Sequence, residues 1–354
     1  MNTLRSILML LSLLIVTENA AAQTSPAPPA AQAPSSTPAS KPKAKPVAKK
    51  PAAPAATPAP SATPAATVVP TPAPDDPNID LVYGAYQRGL YKTTFDLATK
   101  RAQENSDPKA MTMLGELYAN ALGVKRDDAK AASWYRRAAD GGDREGMFEL
   151  AMLRLAGRGG PASREEAAKL LASSAKLGNP KAAYNLALLY LDGQTLPQDL
   201  RRAAELFRLA ADAGNPEAQY ALATFYKEGT GVPKDIEKAV RLLQAASLAD
   251  NVDAEVEYAI ALFNGTGTPK NEPAAVALLR KAARQNNPVA QNRLARVLAS
   301  GQGTPVDKVE ALKWHLIAKT AGKGDPALDE ALANLSPEDR AKAENAVRKW
   351  LGAK

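Results

Sequence analysis

Between residues 108 and 323, apolar and polar positions recur with a period of 36 residues, six times without a slip. The copies begin at Pro108, Arg144, Pro180, Pro216, Val252 and Pro288. With each first residue as slot 1, slot 7 holds Leu114, Leu150, Leu186, Leu222, Tyr258 and Leu294. Slot 8 is always tiny: Gly115, Ala151, Ala187, Ala223, Ala259 and Ala295. Slot 24 holds Ala131, Ala167, Ala203, Ala239, Ala275 and Ala311. Within the copy from Pro216, two runs have helical spacing: Ala218, Leu222, Ala223, Phe225, Tyr226, and then Ala239, Leu242, Leu243, Ala245, Ala246. Pro216 suits a first helical turn, where its missing N–H costs nothing. Gly229-Thr230-Gly231 tolerates the left-handed geometry of a helix stop. Asp235 can cap the second helix, and Asp250-Asn251 ends it. Each copy is thus predicted to be an antiparallel helix pair with a glycine loop of about eight residues. Pairs stacked at a fixed period bury their apolar faces on one another, which is the logic of a solenoid.

The phrase Ala110, Leu114-Gly115, Leu117-Tyr118, Gly123-Val124, Asp127, Ala131, Trp134-Tyr135, Ala138-Ala139 and Gly142 resembles the Sel1-like repeat (SLR), a relative of the tetratricopeptide repeat. The resemblance implies an all-α, right-handed solenoid of six repeats over 108–323, and members of this kind are mostly binding scaffolds. Some copies depart from the pattern. Arg154 stands where Tyr118, Tyr190 and Tyr226 stand, Thr195 replaces the second loop glycine, and Val252 replaces the opening proline.

The flanks differ in character. Residues 1–22 carry Arg5, an apolar run from Ile7 to Val16 and then Ala20-Ala21-Ala22, the tripartite design of a secretory signal peptide cleaved between Ala20 and Gln23. Its apolar run is too short to span a bilayer core of roughly 30 Å comfortably. Residues 23–78 are rich in Pro, Ala, Ser and Thr, with little to bury, and are predicted to be a disordered, semi-rigid linker. Residues 79–107 read as an opening helix pair, with Ala85-Tyr86-Gln87-Arg88-Gly89-Leu90-Tyr91 as its core. Residues 324–354 read as a closing cap, with Ser336 as N-cap of a last helix to about Trp350. The expected location is periplasmic or secreted, with no stable membrane insertion after cleavage.

Composition narrows the chemistry. The net charge is +8, and Lys41, Lys43, Lys45, Lys49 and Lys50, less Asp75 and Asp76, place +3 of it in the linker. What remains is mixed-sign surface charge, not a nucleic-acid footprint. The linker lysines are either a solubilising feature or a contact for an anionic envelope polymer. Cysteine is absent and histidine occurs once, so a single chain cannot build a His/Cys zinc site, a disulfide or a lipid-modified cysteine. His315 occupies the slot of Tyr135, Phe207 and Leu243 and is expected to be packed there. Gly157-Arg158-Gly159-Gly160 lacks the Lys-Ser/Thr of a phosphate loop and sits at the normal loop position. No catalytic, cofactor or metal residue is therefore assigned. Disulfide-bonded relatives suggested to act on β-lactams carry cysteine pairs that this chain lacks.

The resemblance also points to first-helix positions as a groove. One slot holds Thr112, Phe148, Tyr184, Tyr220, Val256 and Asn292; another holds Glu116, Met152, Leu188, Thr224, Ile260 and Arg296. Phe148, Met152, Tyr184, Leu188 and Tyr220 form the candidate partner-binding strip, unless they pack between repeats instead. The expected function is a non-catalytic protein-protein interaction scaffold or regulator in the bacterial cell envelope, with an unidentified envelope protein as partner. The alternatives are a peptidoglycan- or polysaccharide-binding module, or a cell-wall or β-lactam hydrolase.

Overall fold

The computed structural model describes residues 80–352, so the expected signal peptide and linker lie outside the described residues. Sixteen helices and no strand are found among those residues. An opening pair, α1 (Leu81–Gln87) and α2 (Tyr91–Glu104), precedes the repeats. Copies one to three are α3 (Pro108–Ala119) with α4 (Asp128–Asp140), α5 (Arg144–Ala156) with α6 (Arg164–Lys176), and α7 (Pro180–Asp192) with α8 (Leu200–Asp212). Copies four to six are α9 (Pro216–Glu228) with α10 (Ile236–Leu248), α11 (Val252–Asn264) with α12 (Glu272–Arg284), and α13 (Pro288–Ser300) with α14 (Lys308–Thr320). A short α15 (Pro326–Ala331), which the sequence pattern did not indicate, leads into α16 (Pro337–Gly352). Each helix packs chiefly on its neighbours in sequence, so the pairs stack as an α-solenoid, and α16 packs back onto α14.

The regularity begins at the caps. Slot 36 is Asp143, Asn179, Asn215, Asn251 or Asn287, and each accepts a backbone N–H from the first turn of the following helix. Slot 20 (Asp127, Ser163, Asp199, Asp235, Asn271, Asp307) does the same for every second helix. Such caps contribute about 1 kcal/mol each by satisfying donors that the helix cannot. They persist at Arg144 and Val252, where the opening proline is missing, which explains why that loss is tolerated.

The two loops are fixed by recurring backbone bonds. The slot 20 N–H donates to the slot 11 carbonyl in all six copies, as in Asp235 to Tyr226 at 2.9 Å and Asn271 to Leu262 at 2.8 Å. The slot 36 N–H donates to the slot 31 carbonyl, as in Asn215 to Ala210 at 3.0 Å and Asn251 to Ala246 at 3.1 Å. Both turns need left-handed backbone. Slot 14 is glycine in copies two to six, and in the first copy Ala121 is forced to φ 57°. Slot 35 is Gly142, Gly178, Gly214 or Gly322, and elsewhere Asp250 and Asn286, residues whose short polar side chains tolerate that region. Gly231 is restricted further: a Cβ there would run into the carbonyl of Leu200, in the preceding copy.

Packing within and between copies works by matched volumes. A Cβ on Gly115 would meet the Tyr135 ring at 2.5 Å, so the smallest slot 8 accompanies the bulky slot 28 of its own copy. Phe207 at slot 28 and Phe225 at slot 10 of the next copy meet edge to face, with ring centroids 5.4 Å apart. Arg154, in the usual tyrosine slot, is held by its own copy: Nε donates to Glu166 Oε2 at 2.9 Å, and Glu166 also pairs with Arg136 of the copy before. At the far end Trp314 and Trp350 lie 5.2 Å apart edge to face and anchor α16. Ser336 Oγ caps that helix by accepting from the Asp339 N–H at 3.1 Å.

Ala121→Gly should raise stability by about 0.5–1 kcal/mol, because it relieves the left-handed cost of a Cβ. Gly231→Ala should lower it by at least about 2 kcal/mol, since the backbone carbonyl it meets cannot swing away. Urea midpoints of the two variants should therefore move in opposite directions.

Candidate functional site

The five strip residues stand on consecutive first helices: Phe148 and Met152 on α5, Tyr184 and Leu188 on α7, and Tyr220 on α9. Their depths differ. Phe148 and Leu188 are buried, at 6% and 8% exposure, while Met152, Tyr184 and Tyr220 are half-buried. The Tyr184 ring lies 5.7 Å from Phe207 of α8, so it leans on its own copy's second helix. Tyr220 donates its hydroxyl to Glu257 Oε1 at 3.3 Å, in the next copy. Burial pushes the Tyr220 phenol well above its ordinary range, with the Glu257 and Asp253 carboxylates adding to the effect. The strip is therefore partly a set of wedges between helices, and its accessible portion is Met152, Tyr184 and Tyr220.

One step further along, where copy four meets copy five, the wedge is missing. A cleft of about 480 Å³, open to solvent, lies among α9, α10 and α11. Ile236, Ala239, Val240 and Leu243 of α10 face Val256, Ile260 and Ala261 of α11 across it. Its origin is legible slot by slot. Slot 10 is Leu117, Leu153, Leu189, Phe225 and Val297 in the other copies and Ala261 here. The partner position, slot 28 of the preceding copy, is Leu243, the same residue as Leu171 and Leu279 in that slot and smaller than Phe207, so nothing compensates for the lost slot 10 side chain. The buried apolar side chains are interrupted at the same place: one group runs from Phe148 to Ala254, and another from Val256 to Ala343.

Polar groups gather at one side of this cleft. Glu257 takes the Tyr220 hydroxyl and pairs with Lys227 Nζ at 2.6 Å. Asp253 accepts from Asn287 Nδ2 at 3.1 Å and forms no ion pair among the described residues. Burial raises its carboxyl above the ordinary range; the Asn287 bond acts the other way, and the Glu257 charge adds to the rise. Neighbouring Glu255 is fully buried, but Lys281 Nζ stands 2.6 Å from its Oε1. Buried ionised carboxylates are costly without such a partner.

The other candidates have structural partners. His315 is fully buried, with Nε2 2.8 Å from Asp329 Oδ1. Arg158 of the glycine loop forms a two-pronged pair with Asp128, at 2.8 and 3.1 Å, which holds the Asp128 carboxyl down at about 2. Among the described residues no three His, Cys, Asp or Glu side chains converge to hold a metal ion. No described helix is long and apolar enough to cross a membrane.

Phe148→Ala should cost about 3–5 kcal/mol, as expected for a buried aromatic wedge; Tyr184→Ala, half-exposed, should cost clearly less, and thermal melts of the two variants test this ordering. Asp253 binds its proton more tightly folded than unfolded, so its contribution to stability is lost as pH rises through the raised pKa. Asp253→Asn should therefore gain stability relative to the parent at pH 7, and that gain should shrink at a pH below the unfolded pKa of about 3.9. Denaturant titrations at both pH values check the sign.

The Sel1 repeat family matches this chain six times in succession, at residues 108–143, 144–179, 180–215, 216–251, 252–287 and 288–323. No curated protein matches it. Among solved structures, a protective antigen of uropathogenic Escherichia coli with an SLR fold is 26% identical with a TM-score of 0.54, covering 74% of this chain and 64% of its own length. This chain thus spans less than two thirds of that protein. A Sel1 repeat protein from Oxalobacter formigenes is 24% identical with a TM-score of 0.58, covering 67% of this chain and 94% of its own. Sel1 repeat solenoids are typically protein-interaction scaffolds and generally not enzymes. With six matched copies and the same helix-pair stacking, the chain belongs to the Sel1 repeat family.

Proposed function

We propose that this chain is a non-catalytic interaction scaffold of the bacterial cell envelope, which holds a segment of a partner protein against the first-helix side of its repeats. The observation that carries the reading is the run of partly open side chains Met152, Tyr184 and Tyr220, leading to the cleft between copies four and five. A rigid stack of capped helices presents these groups in a fixed line, so a partner pays little ordering entropy on the scaffold side. Apolar area next to isolated polar groups gives affinity from the first and register from the second. The envelope assignment rests on the signal-like residues 1–22 and the linker that follows them.

A photoreactive benzoylphenylalanine replacing Tyr184 in the exported full-length protein tests the binding face. The expected result is one dominant protein adduct by mass spectrometry, lost on Tyr220→Ala; label on glycan alone, or no adduct, would overturn it. Export is checked by osmotic-shock fractionation and N-terminal sequencing. The mature chain should begin between Ala20 and Gln23 in the periplasmic or secreted fraction, and an intact N-terminus in the cytoplasm would reject the placement.

A further inference from the structure

The cleft at Ala261 has a more specific chemistry than the rest of the binding face. Its volume of about 480 Å³ lies in the range of pockets that enclose a ligand group, and far exceeds what a lost methylene leaves behind. Its walls are aliphatic, from Ile236, Val240, Leu243, Val256 and Ile260. Such a lining favours an apolar body, since burying apolar surface is stabilising in proportion to area.

The charges at its edge are unequal. Lys227 and Glu257 neutralise each other at 2.6 Å. Asp253 is left with a single neutral donor, the Asn287 amide, and Glu257 as a like-charged neighbour. No cation among the described residues forms an ion pair with it. An unneutralised, partly desolvated carboxylate beside an apolar hole is complementary to a positive group attached to an apolar one. An acidic or neutral ligand would leave this carboxylate buried without compensation.

Resting on the scaffold reading above, we infer that this cleft is an anchor site for a polypeptide segment that inserts an aromatic or large aliphatic side chain between α10 and α11 and sets an adjacent Lys or Arg on Asp253. Tyr220 and Lys227 extend the same surface toward copy four, so the segment would run along the first-helix side and dip inward at Ala261. Alanine at this slot is then the specificity element: the leucine, phenylalanine or valine of the sister copies would occupy the space the anchor needs.

The test uses the full chain with methyl-labelled Val and Ile and two probe peptides, Ac-Gly-Phe-Lys-Gly-NH2 and Ac-Gly-Phe-Glu-Gly-NH2. The Lys peptide should shift the Val240, Val256 and Ile260 methyls saturably and bind about tenfold more tightly than the Glu peptide. Asp253→Asn should erase that preference while leaving the methyl shifts. Ala261→Leu, which installs the side chain of copies one to three, should abolish the shifts by occupying the anchor's seat and raise the melting temperature by filling part of the void. Equal binding of both peptides, a preference that survives Asp253→Asn, or shifts that survive Ala261→Leu would each overturn the inference. If Ala261→Leu does not fold, the Asp253→Asn comparison decides alone. Adduct formation at position 184 without selective peptide binding would sink the anchor site and leave the scaffold reading intact; selective peptide binding without a protein adduct would do the reverse.

Discussion

Every copy must hand its neighbour the same interface, because a strict period leaves no room for local adjustment. The helices of the stack stand close together, and the alanines at slot 24, among them Ala203, Ala239 and Ala275, are fully buried between them. Once that separation is fixed, the large side chains must share a fixed volume. Tyr135 is accommodated because Gly115 gives way, and Phe207 because it meets Phe225 edge to face. The interface where slot 10 shrinks to Ala261 and the facing Leu243 is no larger than usual cannot close up without breaking register with the copies on either side. A cleft remains.

The same rigidity explains the ends of the helices. Slots 14 and 35 must be left-handed in every copy, including those without glycine there. Ala121 accepts strain, whereas Asp250 and Asn286 reduce it with side chains suited to that backbone. The caps at slots 20 and 36 turn each reversal into a pair of satisfied donors, so the loops need no apolar anchoring of their own.

Much of this was legible in sequence, because it depends on period and on residues with a narrow conformational meaning. Asp235, Gly229 and Pro216 identify helix boundaries directly, and the His315 slot predicts a packed ring. Depth was harder to read. Phe148 and Tyr184 share a slot, yet one is buried and the other leans outward on Phe207, because the difference lies in side chains of a neighbouring helix. The short α15 carries too few residues for periodicity to register. The cleft was missed for a simpler reason: Ala261 looks like one more alanine in an alanine-rich chain. Only comparing slot 10 across all copies marks it, and only the structure shows that Leu243 fails to fill the gap.

The interruption between Ala254 and Val256 has a mechanical meaning. In a quasi-one-dimensional stack, stiffness is transmitted only through nearest neighbours, so an interface with a cleft in it is more compliant than a filled one. Bending or torsion applied to the ends would concentrate there, as strain does at a notch in a beam. A molecule wedged into that notch would act as a splint, joining two stiff arms into one. The array would then report occupancy at a single point as a change in its flexibility along its whole length.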